Sequence, residues 1–279
     1  LSTGADAIVV GISSMPNVAF ISSLTDIDVS VIITASHNPP SDNGFKFFVD
    51  GREFVRTEEE RIESLLRKRE FSTPSWNMIG RMSRTNAMSS YMKHILHFLR
   101  SRGENSDGML VLVDCANGAA VEYTPRLLDT LGFSVITVNS HQDGYFPGRP
   151  AEPSPSNLSE TMKLTSELTV SVGLCHDGDG DRIAVIDEDG EFIDQNRIIA
   201  LLARDELQHH ESGVVVTSID TSSVIDEVVA RAGGEVVRVP LGTLQEQLVS
   251  PMADSIISVS YTHLRAHETR HDLVCRLLL

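Results

Sequence analysis

The sequence predicts an α/β protein of several domains. Three observations carry this. Two stretches repeat one strand–loop–helix–strand plan, and glycines stand where each helix should stop. The chain of 279 residues suits two domains, or three small ones, at roughly 150 residues each. Hydrophobic residues make up 41% of it, enough to form a sizeable core.

In chain order, residues 7–10 and 29–33 read as buried strands and residues 58–69 as a charged helix. Residues 71–84 contain Pro74, Gly80 and several Ser and Thr residues, and read as a connection to a new domain. The first repeated unit is a strand at 110–113, a polar loop at 114–119, a helix at 121–131 stopped by Gly132, and a strand at 133–138. The second is a strand at 214–217, a polar loop at 218–223, a helix at 224–232 stopped by Gly233 and Gly234, and a strand at 235–239. Both read as βαβ units, with Gly at the helix C-terminus because it tolerates φ > 0. Between them, residues 142–156 are rich in Pro and Gly and carry Arg149. Long loops of this kind are often functional, although plain connectors are commoner.

Composition excludes some functions. The net charge of -16 is the opposite of the basic footprint of a nucleic-acid binder. It is compatible with an anionic sugar phosphate, because local cations and metal outweigh the global field. No apolar run approaches the roughly 20 residues that span a bilayer, so no membrane partner is expected. Cys115, Cys175 and Cys275 are odd in number and lack CxxC spacing. That pattern favours a reducing cytoplasm over a disulfide scaffold or a zinc site. The chain opens on Leu1 rather than Met, which reads as an N-terminus lacking its first residues.

Two loops carry candidate chemistry. The strand at 29–33 runs into Thr34-Ala35-Ser36-His37-Asn38-Pro39-Pro40 and then Ser41-Asp42-Asn43-Gly44-Phe45-Lys46. A polar loop at a strand's C-terminal end is where α/β proteins place their chemistry. Ser36 offers a hydroxyl for a phosphoryl group. His37, Asn38 and Asn43 offer hydrogen-bonding groups, and Lys46 a cation or, if burial depresses its pKa, a base. An ordinary polar turn is built from the same residue types.

The second loop is His176-Asp177-Gly178-Asp179-Gly180-Asp181-Arg182. Three carboxylates at alternate positions repel one another unless a cation sits among them. Gly178 and Gly180 let the backbone curl so that all three reach one centre. Oxygen-only ligands select Mg²⁺ or Ca²⁺. Asp177, Asp179, Asp181 and Glu188 also fit positions of a calcium-binding helix–loop–helix, but Arg182 stands where that loop requires Gly, and the flanks read as strands. Arg182 beside a metal suits an anion that bridges both.

Together, these loops resemble the α-D-phosphohexomutase family, which includes phosphomannomutases, phosphoglucomutases and phosphoglucosamine mutases. The serine motif is matched by residues 34–39 with Asn43-Gly44-Phe45-Lys46, and the metal motif by residues 177–182. The resemblance implies similar three-layer α/β/α domains with mixed sheets, four of them around a central cleft. On that model residues 1–85 are most of the first domain, 86–190 the second and 191–259 a partial third. Residues 260–279 form a non-native tail.

The resemblance also implies the chemistry. Phosphorylated Ser36 gives its phosphoryl group to a hexose phosphate. The hexose 1,6-bisphosphate then turns over in the cleft and returns its other phosphate to Ser36. Mg²⁺ is held by Asp177, Asp179, Asp181 and the Ser36 phosphate. Arg182 contacts that phosphate, Lys46 does acid–base work and His37 orients the loop. Asn38, Asn43, Gly242 and Thr243 face the substrate. Two alternatives are a non-catalytic fragment that retains the metal loop and a metal-dependent sugar phosphatase. Gly148-Arg149-Pro150 and His176-Asp177 resemble archaeal-type phosphoglucosamine and phosphomannose mutases.

Two expectations concern the C-terminal part. A third domain interrupted after the strand at 235–239 should leave the apolar faces at 198–202 and 224–229 incompletely covered, and the chain inactive and poorly stable. His263, His267 and His271 lie at helical spacing, where a metal could bind, but the segment reads as foreign sequence.

Overall fold

The computed structural model describes residues 1–24, 26–101, 108–209, 213–241, 243–248 and 256–258. Strand β1 (Ala7–Val9) leads into α1 (Met15–Ser22), β2 (Ser30–Ile33), β3 (Phe45–Val49), β4 (Arg52–Glu53) and α2 (Arg56–Lys68). A 3-10 turn at Trp76–Met78 follows, then β5 (Met82–Arg84). β2, β3 and β4 form an antiparallel sheet, while β5 pairs parallel with β1.

Next come α3 (Met88–Ser101), β6 (Leu110–Asp114), α4 (Thr124–Thr130), β7 (Ser134–Val138), α5 (Ser159–Glu167), β8 (Val172–His176) and β9 (Ile183–Ile186). Their sheet runs β7-β6-β8-β9, parallel except for the β8–β9 hairpin. The last group is α6 (Gln195–His209), β10 (Val214–Ser218), α7 (Val224–Arg231), β11 (Glu235–Val239), α8 (Leu244–Leu248) and β12 (Ile256–Ser258). β11 and β12 flank β10, both parallel to it. The architecture is the expected α/β type, with helices layered on mixed sheets.

Local sequence explains these elements. Tyr91, Ile95 and Leu99 recur every four residues along α3 and are buried, so one helical stripe packs on Phe20, Tyr123 and Leu127. The helix expected at 121–131 is divided. Ala119–Glu122 forms a 3-10 turn and α4 restarts at Thr124. Pro125 is the cause, since proline lacks the N–H that a helix interior needs and is tolerated only in the first turn.

The structure corrects or refines four expectations. The strands expected to be buried at 7–10 and 29–33 are not. Ile8 and Val9 are 48% and 38% exposed, and Val31 and Ile33 are 48% and 66% exposed. Burial in β2 alternates along the strand, so only one face meets α1, where Ile32 packs with Met15, Val18 and Phe48. The connection expected at 71–84 also contains β5, which pairs with β1. The third sheet does not stop at β11, because β12 adds to its other side. The faces expected to be incompletely covered leave Leu201 and Val224 49% and 48% exposed, but the rest of each is covered. Ile198, Ile199, Ile225 and Val229 are buried in one apolar cluster with Val111, Val113, Leu174 and Ile183 of the four-stranded sheet. The segment 260–279, with its histidines, lies outside the described residues, as does Cys275.

Candidate active site

Two hairpin loops meet. One joins β2 to β3 and carries Ser36; the other joins β8 to β9 and carries residues 177–182. Their contact is close. A Cβ on Gly178 would stand 2.6 Å from the Ser36 carbonyl and 3.0 Å from the Phe146 ring, so only glycine permits this approach. Gly180 has φ +73°, the left-handed turn that curls the acidic loop. Ser36 has φ 54°, uncommon for a residue with a side chain and a mark of local strain. Its N–H donates to Thr34 Oγ1 at 2.8 Å, which holds that conformation.

Asp177, Asp179 and Asp181 are all buried, and one oxygen from each lies within 4.8 Å of the others. Asp177 Oδ1 accepts the N–H groups of Gly180, Asp181 and Arg182 at 3.0, 3.1 and 3.1 Å. Its Oδ2 accepts from Ser36 Oγ at 3.2 Å. Asp179 Oδ2 accepts from Thr34 Oγ1 at 3.0 Å and from Lys46 Nζ at 3.2 Å. Asp181 Oδ2 accepts from Lys46 Nζ at 2.8 Å. Asp179 Oδ1 is buried and accepts no hydrogen bond among the described residues.

Electrostatics follow from this packing. Burial, then the charges of Asp181 and Asp179, push the Asp177 carboxyl well above its ordinary 3.8. Burial and Asp181 also raise Asp179, against the pull of Lys46. One ammonium set against three carboxylates leaves two formal negative charges uncompensated. A buried oxygen without a donor, oxygen-only ligands and this residual charge fit a hard divalent cation.

The remaining expected residues separate into three groups. Lys46 joins the cluster, but as a cation. Burial alone would lower its pKa, yet Asp181 and Asp179 together raise it. Of the two roles open to Lys46, a cation or a base with a depressed pKa, the first fits this packing, because neighbouring carboxylates outweigh desolvation. His37 is close to the serine, with Nδ1 3.4 Å from Ser36 Oγ. Burial and Arg182 lower its pKa below 6.5. Arg182 faces a cleft of about 400 Å³ that Glu152, Asp194 and Gln195 also line, and its buried Nε has no hydrogen-bond partner among the described residues.

Asn38 and Asn43 are exposed, and neither side chain hydrogen-bonds to the carboxylates among the described residues. Thr243 Oγ1 donates to the Pro240 carbonyl at 2.8 Å, and Gly242 lies outside the described residues.

Comparison with known proteins then identifies the family. Three models match along the chain: phosphoglucomutase/phosphomannomutase alpha/beta/alpha domain I over residues 1–73, domain II over 89–190 and domain III over 194–245. The chain belongs to the phosphoglucomutase/phosphomannomutase family.

Among family members, a phosphopentomutase from Thermococcus kodakarensis is 44% identical over 77% of this chain and 47% of its own length. A phosphoglucosamine mutase from Methanococcus vannielii is 37% identical over 87% of this chain and 54% of its own. The chain thus spans about half the length of the curated relatives it matches. A phosphoglucomutase/phosphomannomutase family protein from Burkholderia thailandensis shares the fold, with TM-score 0.86 at 22% identity over 99% of this chain and 61% of that one.

Three residues of this family member escape sequence reasoning. Thr34 ties Ser36 to Asp179. Asp114 and Arg149 form a buried ion pair at 2.8 Å behind the acidic loop. The signals for Arg149 are a cation in a long loop rich in Pro and Gly and the resemblance of Gly148-Arg149-Pro150 to archaeal-type mutases, neither of which gives its role, and nothing in the pattern marks Asp114.

Proposed function

We propose that this chain provides the phosphoserine and metal centre of a magnesium-dependent sugar-phosphate mutase that interconverts hexose 1-phosphate and hexose 6-phosphate. The observation that carries the reading is Ser36 Oγ at 3.2 Å from Asp177, beside two further buried carboxylates. When bound to Asp177, Asp179, Asp181 and the Ser36 phosphate, Mg²⁺ supplies neutralisation of the charge on the transferred phosphoryl group.

The chain's own residues do the rest. The bond from phosphorus to Ser36 Oγ breaks, one to a sugar hydroxyl oxygen forms, and the hydroxyl proton ends on Ser36 Oγ. The bisphosphate then presents its other phosphate and the step reverses. His37, with its lowered pKa, is mostly neutral near pH 7 and can accept a proton beside Ser36 Oγ. Lys46, kept charged by Asp181 and Asp179, enters as a proton donor. Arg182 would grip phosphate oxygens from the cleft side. Asn38 and Asn43, on the exposed rim, would meet the sugar.

A pentose phosphate is the second reading. It is favoured by one observation, the 44% identity to a relative named phosphopentomutase.

The test is phosphate transfer to the chain. Incubation with Mg²⁺ and glucose 1,6-bisphosphate should place phosphate on the peptide containing Ser36, detected by mass spectrometry, and Ser36→Ala should abolish it. Faster labelling from ribose 1,5-bisphosphate would favour the pentose. Steady release of inorganic phosphate would point to a phosphatase. Label on another residue, or none from either donor, would overturn the proposal.

A further inference from the structure

Behind the acidic loop lies a fully satisfied charge pair. Arg149 comes from the long loop at residues 142–156, yet its side chain is only 5% exposed, and that of Asp114, at the end of β6, is 0% exposed. Arg149 Nε donates to Asp114 Oδ2 at 2.8 Å. Nη1 donates to the carbonyls of Pro150 and Ala151 at 2.9 and 3.3 Å, and Nη2 to the carbonyl of His176 at 2.6 Å. The carboxylate is equally occupied. Oδ2 also accepts from Thr161 Oγ1 at 2.7 Å, and Oδ1 from the Ala116 N–H at 2.9 Å and Asn139 Nδ2 at 3.0 Å.

A buried ion pair contributes little net stability over well-packed apolar residues. What this one does provide is geometry. Asp114 and Cys175 are direct neighbours in the β6–β8 ladder. Arg149 bridges the ends of those two strands and fixes the His176 carbonyl, the last one before Asp177. The His176 ring is held too, with Nε2 2.8 Å from Thr124 Oγ1. The same guanidinium grips Pro150 and Ala151, just before Glu152 enters the cleft wall beside Arg182.

We infer that Arg149 and Asp114 are positioning residues, which set the cation affinity of the Asp177–Asp179–Asp181 cluster by fixing where the β8–β9 loop begins. This rests on reading the cluster as a metal site. Partners one layer behind metal ligands commonly change affinity by about 10–100-fold when removed.

The test is Mn²⁺ binding to the full 279-residue chain, read from the free-ion electron paramagnetic resonance signal. Arg149→Lys keeps a cation beside Asp114 but loses the fork that reaches His176. Thr161→Ala removes one bond to the same carboxylate and leaves the His176 contact intact. Arg149→Lys should bind Mn²⁺ at least about tenfold more weakly with an unchanged far-UV circular dichroism spectrum. Thr161→Ala should lower Tm while matching wild type in affinity.

Wild-type affinity in a folded Arg149→Lys would overturn the inference. So would an equal loss in Thr161→Ala. Loss of the folded spectrum in both Arg149→Lys and Arg149→Gln would assign the pair a purely structural role and would overturn it as well. Failure of the metal reading looks different: wild type and Asp179→Asn would then bind Mn²⁺ alike.

Discussion

The two oxygens of Asp179 are in different situations. Oδ2 accepts from Thr34 and Lys46, while Oδ1 is buried without a donor among the described residues. Burial and like charges raise the Asp177 and Asp179 pKa values above 3.8. A carboxyl raised on folding contributes stability that is full below its unfolded pKa and is lost as pH rises through the folded value. A cation that relieves this repulsion should therefore stabilise more at higher pH. The rise in Tm on adding Mg²⁺ should be larger at about pH 8 than at about pH 5, and Asp179→Asn should shrink it at both. Scanning fluorimetry with and without a chelator checks this. Equal increments at the two pH values would argue against these carboxylates as ligands.

At the scale of elements, the β8–β9 hairpin depends on a missing side chain. Gly178→Ala would place a Cβ 2.6 Å from the Ser36 carbonyl, so one loop must shift. The expected loss is about 1–3 kcal/mol, the usual range for overpacking, measured by urea unfolding. Labelling of Ser36 should fall with it; a variant of wild-type stability and labelling would contradict the close approach.

The sequence made both hairpin loops visible, because Ser36 and the alternating aspartates stand out by residue type. β10, α7 and β11 were also legible, since their apolar periods and the Gly233-Gly234 stop agree with the final packing. Helix α1 was not. All eight of its residues are buried, so it lacks the polar face that betrays a surface helix. The role of Arg149 was hidden for a related reason. Its partners Asp114 and His176 are brought to it by a parallel ladder, and ladder register is not written in any local pattern.

On the scale of the whole molecule, one apolar cluster runs from Val111, Leu128 and Leu174 to Ile199, Val215 and Ile225. It links the four-stranded sheet to α6, α7 and β10. The sequence alone favours a protease-resistant core ending near Asp189. The shared cluster instead predicts resistance through α7, because cutting behind β9 would expose Ile198, Ile199 and Ala203. Ile225→Ala, which empties a fully buried site, should cost about 2–5 kcal/mol. By calorimetry it should shift a single transition. A melt that splits in two, with only the later part of the chain affected, would refute a common core. Among the described residues, no helix is long and apolar enough to cross a membrane.

The hydrogen bond from Ser36 Oγ to Asp177 Oδ2 has a thermodynamic corollary. A phosphoryl group on that oxygen brings about 1.5 to 2 further negative charges to a cluster in which three carboxylates face one ammonium. Phosphorylation and cation binding must then assist each other, and by the same factor in both directions. Phosphorylated protein should hold the ion more tightly than protein stripped of its phosphate, and magnesium should favour the phosphorylated form at equilibrium with its phosphoryl donor. The fraction of molecules primed for transfer would therefore follow the free magnesium concentration of the surroundings, with no separate regulator needed.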